Sequence, residues 1–250
     1  MAAQQIASTG PAAQAVRNPY STLPNWLYPT FVSGALGAFT LYAVWVVFLN
    51  TQGRFGPYLS PMYSPEIRLG PIPPAILVAW APFVLRFTCY YYRKAIFRSF
   101  LWHPRSCAVR EPGRGAYRGE TGFWWFNNLH RYAFYVTALQ VAFLWYDVVA
   151  AFSWNGATLG PHVGVGGVLM LVNVICLSAY TFGCHSFRHL AGGGLDCFSC
   201  HRNRLRIWRV VTRLNGRHDR WAWLSLFTVW LTDLYLRGLI LGVIPHAPWS

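Results

Sequence analysis

The chain has 250 residues, 54% hydrophobic and 11% charged, with a formal net charge of +14. So apolar a composition leaves no room for a soluble catalytic domain. A basic surface alone is weak evidence for nucleic acid, and the positive charge sits in two short regions, so nucleic acid is not an expected partner; membrane lipid headgroups account for part of it.

Residues 1–26, rich in Ala, Gln, Ser and Pro, read as a cytoplasmic arm, mobile or held by a partner. Residues 27–250 read as a membrane domain. A spanning helix needs about 20 apolar residues, and five stretches qualify or nearly do: 28–49, 75–96, 123–152, 163–185 and 221–244. The prediction is an all-α, polytopic protein of five transmembrane helices. No cleavable signal is expected, and no internal repeat suggests an inverted-repeat transporter.

Of the 21 Lys and Arg, seven lie between Arg93 and Arg118 and eight between Arg188 and Arg220. Cytoplasmic loops are rich in these residues, so the second-to-third and fourth-to-fifth connections belong inside. The N-terminus is then inside and the C-terminus outside. The connection around Trp154 to Pro161 carries no Lys or Arg and fits an outer position. Trp124, Trp125 and the run Tyr90, Tyr91, Tyr92 sit where an interfacial aromatic belt belongs.

Chemistry must come from residues inside the bundle or from partner subunits. Cys89 precedes Arg93 by one turn on the second helix, roughly 6 Å toward the membrane at about 1.5 Å per residue. His130 opens the third helix, Cys184, His185 and His189 end the fourth, and His218 precedes the fifth. Four helices thus bring Cys or His to one inner layer. A lone Cys in an apolar helix is commonly a core residue and a His at a helix end an interfacial one, but their convergence at membrane depth marks a functional path. Two imidazoles suit a b-type haem, and two thiolates with two imidazoles a Rieske-type [2Fe-2S] centre. His185 and His189, spaced i, i+4, share a helical face.

Cys197-Phe198-Ser199-Cys200-His201 is a literal C-x-x-C-H, the attachment sequence of c-type haem. Its place in the most basic inner loop argues against covalent haem and for a chance match or a pair of reduced cytosolic thiols. Cys107, in the other basic loop, reads as a structural thiol. Asp233 and Arg237 form an i, i+4 pair on the fifth helix, read as mutually neutralising rather than as a proton path, and Asp147 lies near the outer end of the third.

The runs Cys89-Tyr90-Tyr91-Tyr92-Arg93-Lys94-Ala95, Ser106-Cys107-Ala108-Val109, Gly119-Glu120-Thr121, His130-Arg131-Tyr132, Cys184-His185-Ser186 and Arg188-His189 resemble a known family. So does His218 followed by Trp223-Leu224-Ser225-Leu226-Phe227. The family is the membrane anchor subunit of actinobacterial-type succinate dehydrogenase, and the resemblance spans roughly Arg86 to Arg237. It implies five helices in the cell's inner (plasma) membrane, docking of flavoprotein and iron-sulfur subunits on the cytoplasmic face, and electron delivery from succinate to menaquinone. It also allows a trimer of such complexes. The first helix lacks a His, which disfavours an outer haem, and the resemblance implies a Rieske-type cluster held among Cys89, His130, Cys184, His185 and His189. Phe187 and Ala191 stand where the family pattern has Cys, leaving open a shifted ligand set or one haem b on His130 with His185 or His189. Arg86, Trp125, Asn128 and His218 are the candidates to line an apolar quinone slot. Arg86 alternatively snorkels to the interface. Two other classes remain alternatives: the anchor cytochrome of a fumarate reductase or another quinone-linked oxidoreductase, and a cofactor-free membrane transporter.

Overall fold

The computed structural model describes residues 26–50, 52–100, 126–153 and 163–245. The expected arm, apart from its last residue, lies outside them, as do Cys107 and Trp125. The chain is mostly helical. Helix α1 (Leu27–Val44) continues into a π-helical turn, Trp45–Leu49. There Asn50 N–H reaches back five residues to Trp45 O, at 3.1 Å. Then come a two-stranded hairpin (β1 Arg54–Phe55, β2 Tyr58–Leu59), α2 (Pro74–Thr88), α3 (Tyr90–Ser99), α4 (Phe126–Phe152), α5 (Val165–Phe182), α6 (His185–Gly192), α7 (Arg202–Asn215) and α8 (His218–Ile240).

Among the described residues three helices are long and apolar enough to cross a membrane, Leu27–Leu49, Asn128–Phe152 and Val165–Phe182, and a fourth span arises if the bent pair α2–α3 counts as one. The expected fifth span, on α8, is not among those that length and apolarity support. Its 23 residues suffice in length, but Asp219, Arg220, Asp233 and Arg237 dilute its apolar content. The predicted continuous second helix is broken at Cys89, where ψ of 130° leaves the helical region, and the axis turns by 72°.

The connection between α1 and α2 is folded rather than open. A two-residue turn with Gly56 at φ 54° pairs Arg54 with Leu59 and Phe55 with Tyr58 in antiparallel register, since Gly accepts positive φ without a Cβ clash. The hairpin drives Tyr58, fully buried, into a core cluster with Val141, Leu144, Met170, Val174 and Leu236. Gly166 makes room for it, because a Cβ there would lie 2.8 Å from the Tyr58 ring. Beyond it, Ser60 and Tyr42 donate to the Asp233 carboxylate, and Ser64 donates to Asp147. Asp233 is also paired with Arg237 at 2.7 Å, both buried. Arg237 in turn donates to Gln52 O at 3.2 Å. Charges that would be costly in an apolar bundle are thereby compensated inside it. A second cluster, at the other end of α2, α4 and α5, holds the candidate site.

Candidate functional site at the helix ends

The break at Cys89 and the capped start of α6 create the site. Cys89 ends α2 and caps α3, and Cys184 caps α6, its Sγ accepting from Phe187 N–H at 3.4 Å. Both thiols are buried in one apolar cluster with Leu85, Tyr92, Ala133, Phe134, Tyr180 and Ala222. His218, first residue of α8, places Nε2 3.6 Å from Cys89 Sγ and stacks on Tyr180 at 4.8 Å between centroids.

His130 of α4 is buried, with Nδ1 3.1 Å from Leu85 O and 3.1 Å from Thr88 Oγ1. A carbonyl can only accept, so Nδ1 carries the hydrogen and Nε2 keeps its lone pair. This is the arrangement in which a backbone carbonyl orients a metal-binding imidazole. His185 and His189 stand one turn apart on α6, ring centroids 4.4 Å apart. Both are exposed, but His185 lies within electrostatic reach of His130.

Arg86 occupies a polar niche beside the thiols. It donates to Tyr92 Oη at 2.6 Å, Ala222 O at 3.2 Å and Ser225 Oγ at 3.0 Å. Its guanidinium lies over the Tyr180 ring at 4.7 Å. Hydroxyls, a carbonyl and an aromatic face hold this cation turned into the bundle, so the snorkelling arrangement is not the one adopted. Asn128 sits half-buried in the first turns of α4.

The structure thus brings Cys89, His130, Cys184 and His218 into one layer with Arg86. Thr88, Tyr92, Tyr180 and Ser225 complete its lining, and the sequence reading missed them. Asn173, Cys176 and Tyr180, all buried on α5, recur at helical spacing in an otherwise apolar segment, a signal that could have found Tyr180. Among the described residues no three His, Cys, Asp or Glu side chains converge as a finished metal site. The donors fit a soft metal centre by type, two thiols and two imidazoles.

Fold and site define a helical membrane subunit with a thiol–imidazole layer at one set of its helix ends. The family model of actinobacterial succinate dehydrogenase subunit SdhC matches residues 27–242. The chain belongs to that family, the membrane subunits of a multi-subunit succinate dehydrogenase. It is similar to a chain of the Mycobacterium smegmatis Sdh1 complex in the apo form, with 36% identity and a TM-score of 0.72 over 93% of this chain and 96% of that one. No curated protein matches.

Proposed function

We propose that this chain docks the flavoprotein and iron-sulfur subunits of succinate dehydrogenase on its basic inner loops, spans the plasma membrane five times and binds menaquinone beside Arg86. A redox centre of the Rieske-type [2Fe-2S] kind would be held by Cys89 and Cys184 with His130 and either His218 or His185. That group supplies one-electron transfer when bound. The observation that supports the reading is one level of the bundle at which the buried Cys89, Cys184 and His130 lie near the half-buried His218 and Arg86, the latter with no carboxylate partner among the described residues. Within it, Arg86 sets a fixed positive charge where a reduced quinone oxygen gains negative charge. His130 and His218 offer ring nitrogens for ligation or proton transfer, and Tyr92 and Tyr180 keep the layer free of bulk water.

Low-temperature EPR and a reduced-minus-oxidised spectrum of the purified complex test this. The cluster reading expects Cys89→Ser and Cys184→Ser each to abolish the EPR signal and His130→Ala to remove it as well. A haem b gives the other pattern, with visible absorbance surviving both Cys changes and lost only with the His changes. A normal signal in His130→Ala sinks both.

A further inference from the structure

One sequence motif has no part in that function, the Cys197-Phe198-Ser199-Cys200-His201 segment between α6 and α7. The two cysteines form a disulfide with their Cα atoms 5.5 Å apart. The four-residue loop they close stands at the corner that fastens α6 to α7. Phe198, between the cysteines, packs on Trp208 of α7 at 5.2 Å, and the Arg188 guanidinium of α6 lies over the same Trp208 ring at 5.0 Å. Gly192 lies beneath them, where a Cβ would come within 2.5 Å of the Trp208 ring and 3.0 Å of Phe198. Arg204 of α7 reaches back to the carbonyls of Leu190, Ala191 and Gly193 at 3.1, 3.1 and 2.9 Å.

We infer that Cys197 and Cys200 are a reversible dithiol–disulfide site whose substrate is a dithiol reductant of the inner compartment. Cys200 is the more exposed residue and Cys197 the half-buried one. Cys197 Sγ accepts from Cys200 N–H at 3.2 Å and lies 3.3 Å from Ser199 Oγ. The segment leads directly into α7, whose N-terminus and nearby Arg202 and Arg204 favour negative charge. The geometry makes Cys200 the attacked atom and Cys197 the leaving thiolate.

A thiolate of the reductant bonds to Cys200 Sγ, the Cys197–Cys200 bond breaks, and its electron pair stays on Cys197. The reductant's second thiolate then displaces Cys200 and leaves as its own disulfide. Two electrons, and two protons once both thiolates are protonated, have entered the chain. Opening the ring frees Phe198 from its fixed position on Trp208 and loosens the corner that carries α6. The redox state of the compartment is thereby written into the stiffness of this corner. None of this rests on the quinone or metal reading.

The test uses the assembled complex in native membrane vesicles, without denaturant. Dithiothreitol, or glutathione at equal thiol concentration, is followed by a maleimide and mass analysis of the 197–200 peptide. Untreated complex is expected to take up no label there and dithiothreitol-treated complex two labels per chain. Glutathione should give little, because the Cys197 thiolate recloses the ring and expels the monothiol. Trypsin should cut at Arg202 faster in the reduced complex, and the Cys197→Ser/Cys200→Ser variant should be cut at that faster rate with or without dithiothreitol. Labelling of the untreated complex, no labelling after dithiothreitol, a glutathione adduct on Cys197, or a cleavage rate in the double variant equal to that of the oxidised wild type overturns the inference.

Discussion

Replacing Asp233 by Ala is expected to be among the most damaging single changes in the half of the bundle away from the thiols. Asp233 is fully buried and Arg237 is 4% exposed. The change deprives Tyr42 and Ser60 of their acceptor and leaves the guanidinium with Gln52 O at 3.2 Å and the Trp45 ring at 5.2 Å. Removing one partner of a buried pair costs about 3–5 kcal/mol, because the other charge is stranded. Arg cannot escape by losing its proton. At roughly 2–4 °C per kcal/mol for a chain of this size, the melting temperature should fall by about 6–20 °C. The assay is a thermal melt of the purified complex in mild detergent, followed by tryptophan fluorescence and by the assembled fraction after heating. Arg237→Met should cost less, because Asp233 keeps two hydroxyl donors. The double variant Asp233→Leu/Arg237→Met should lose less than Asp233→Ala, because no charge is stranded and the remaining cost is that of the Tyr42 and Ser60 hydroxyls left without their acceptor. A loss below about 1 kcal/mol in Asp233→Ala, or a double variant worse than Asp233→Ala, would refute the account of a stranded charge.

Maleimide should reach Cys107 from the inner side of oriented vesicles only; labelling exclusive to the outer side overturns the topology. Charge reversal at Arg202, Arg206 and Arg209, exposed on α7, should release the soluble subunits at lower salt than in the parent, since bidentate Arg–carboxylate contacts are lost; unchanged co-purification across a salt series counts against docking there. Gly166→Ala should cost about 1–3 kcal/mol by overpacking the Tyr58 ring, read as a lowered melting temperature, while Gly34→Ala, which has open space around it, should be neutral or slightly stabilising.

The helical segments were legible because apolar length is a coarse, additive signal. The expected 123–152 and 163–185 stretches became Phe126–Phe152 and Val165–Phe182. The break at Cys89 was not legible. Pro82, the residue that most disfavours a helix interior, lies within α2 without ending it, whereas Cys89 carries no local signal and departs from the helix through contacts made by α4 and α8. The folded connection between α1 and α2 was hidden for the same reason: Ser60 and Ser64 look like ordinary loop residues until Asp233 and Asp147 meet them. At the site, depth along the helices was readable and placed Cys89, His130, Cys184 and His218 in one layer. The side-chain pairing was not: His218 lies against Cys89, and His185 and His189 belong to α6, a separate helix that begins after Cys184.

The break between α2 and α3 has a consequence for how the protein is made. A segment entering the bilayer alone must satisfy its own backbone, and only an unbroken helix does so. In the finished chain Leu85 O also receives His130 Nδ1–H, and Arg86 and Tyr92, on either side of the break, both donate to Ala222 O. Those partners belong to α4 and α8, which are synthesised later. The bend at Cys89 is therefore expected to be held only once α4 and α8 are in place, and the thiol layer, which needs Cys184 and His218 as well as Cys89, is complete only with the last helix.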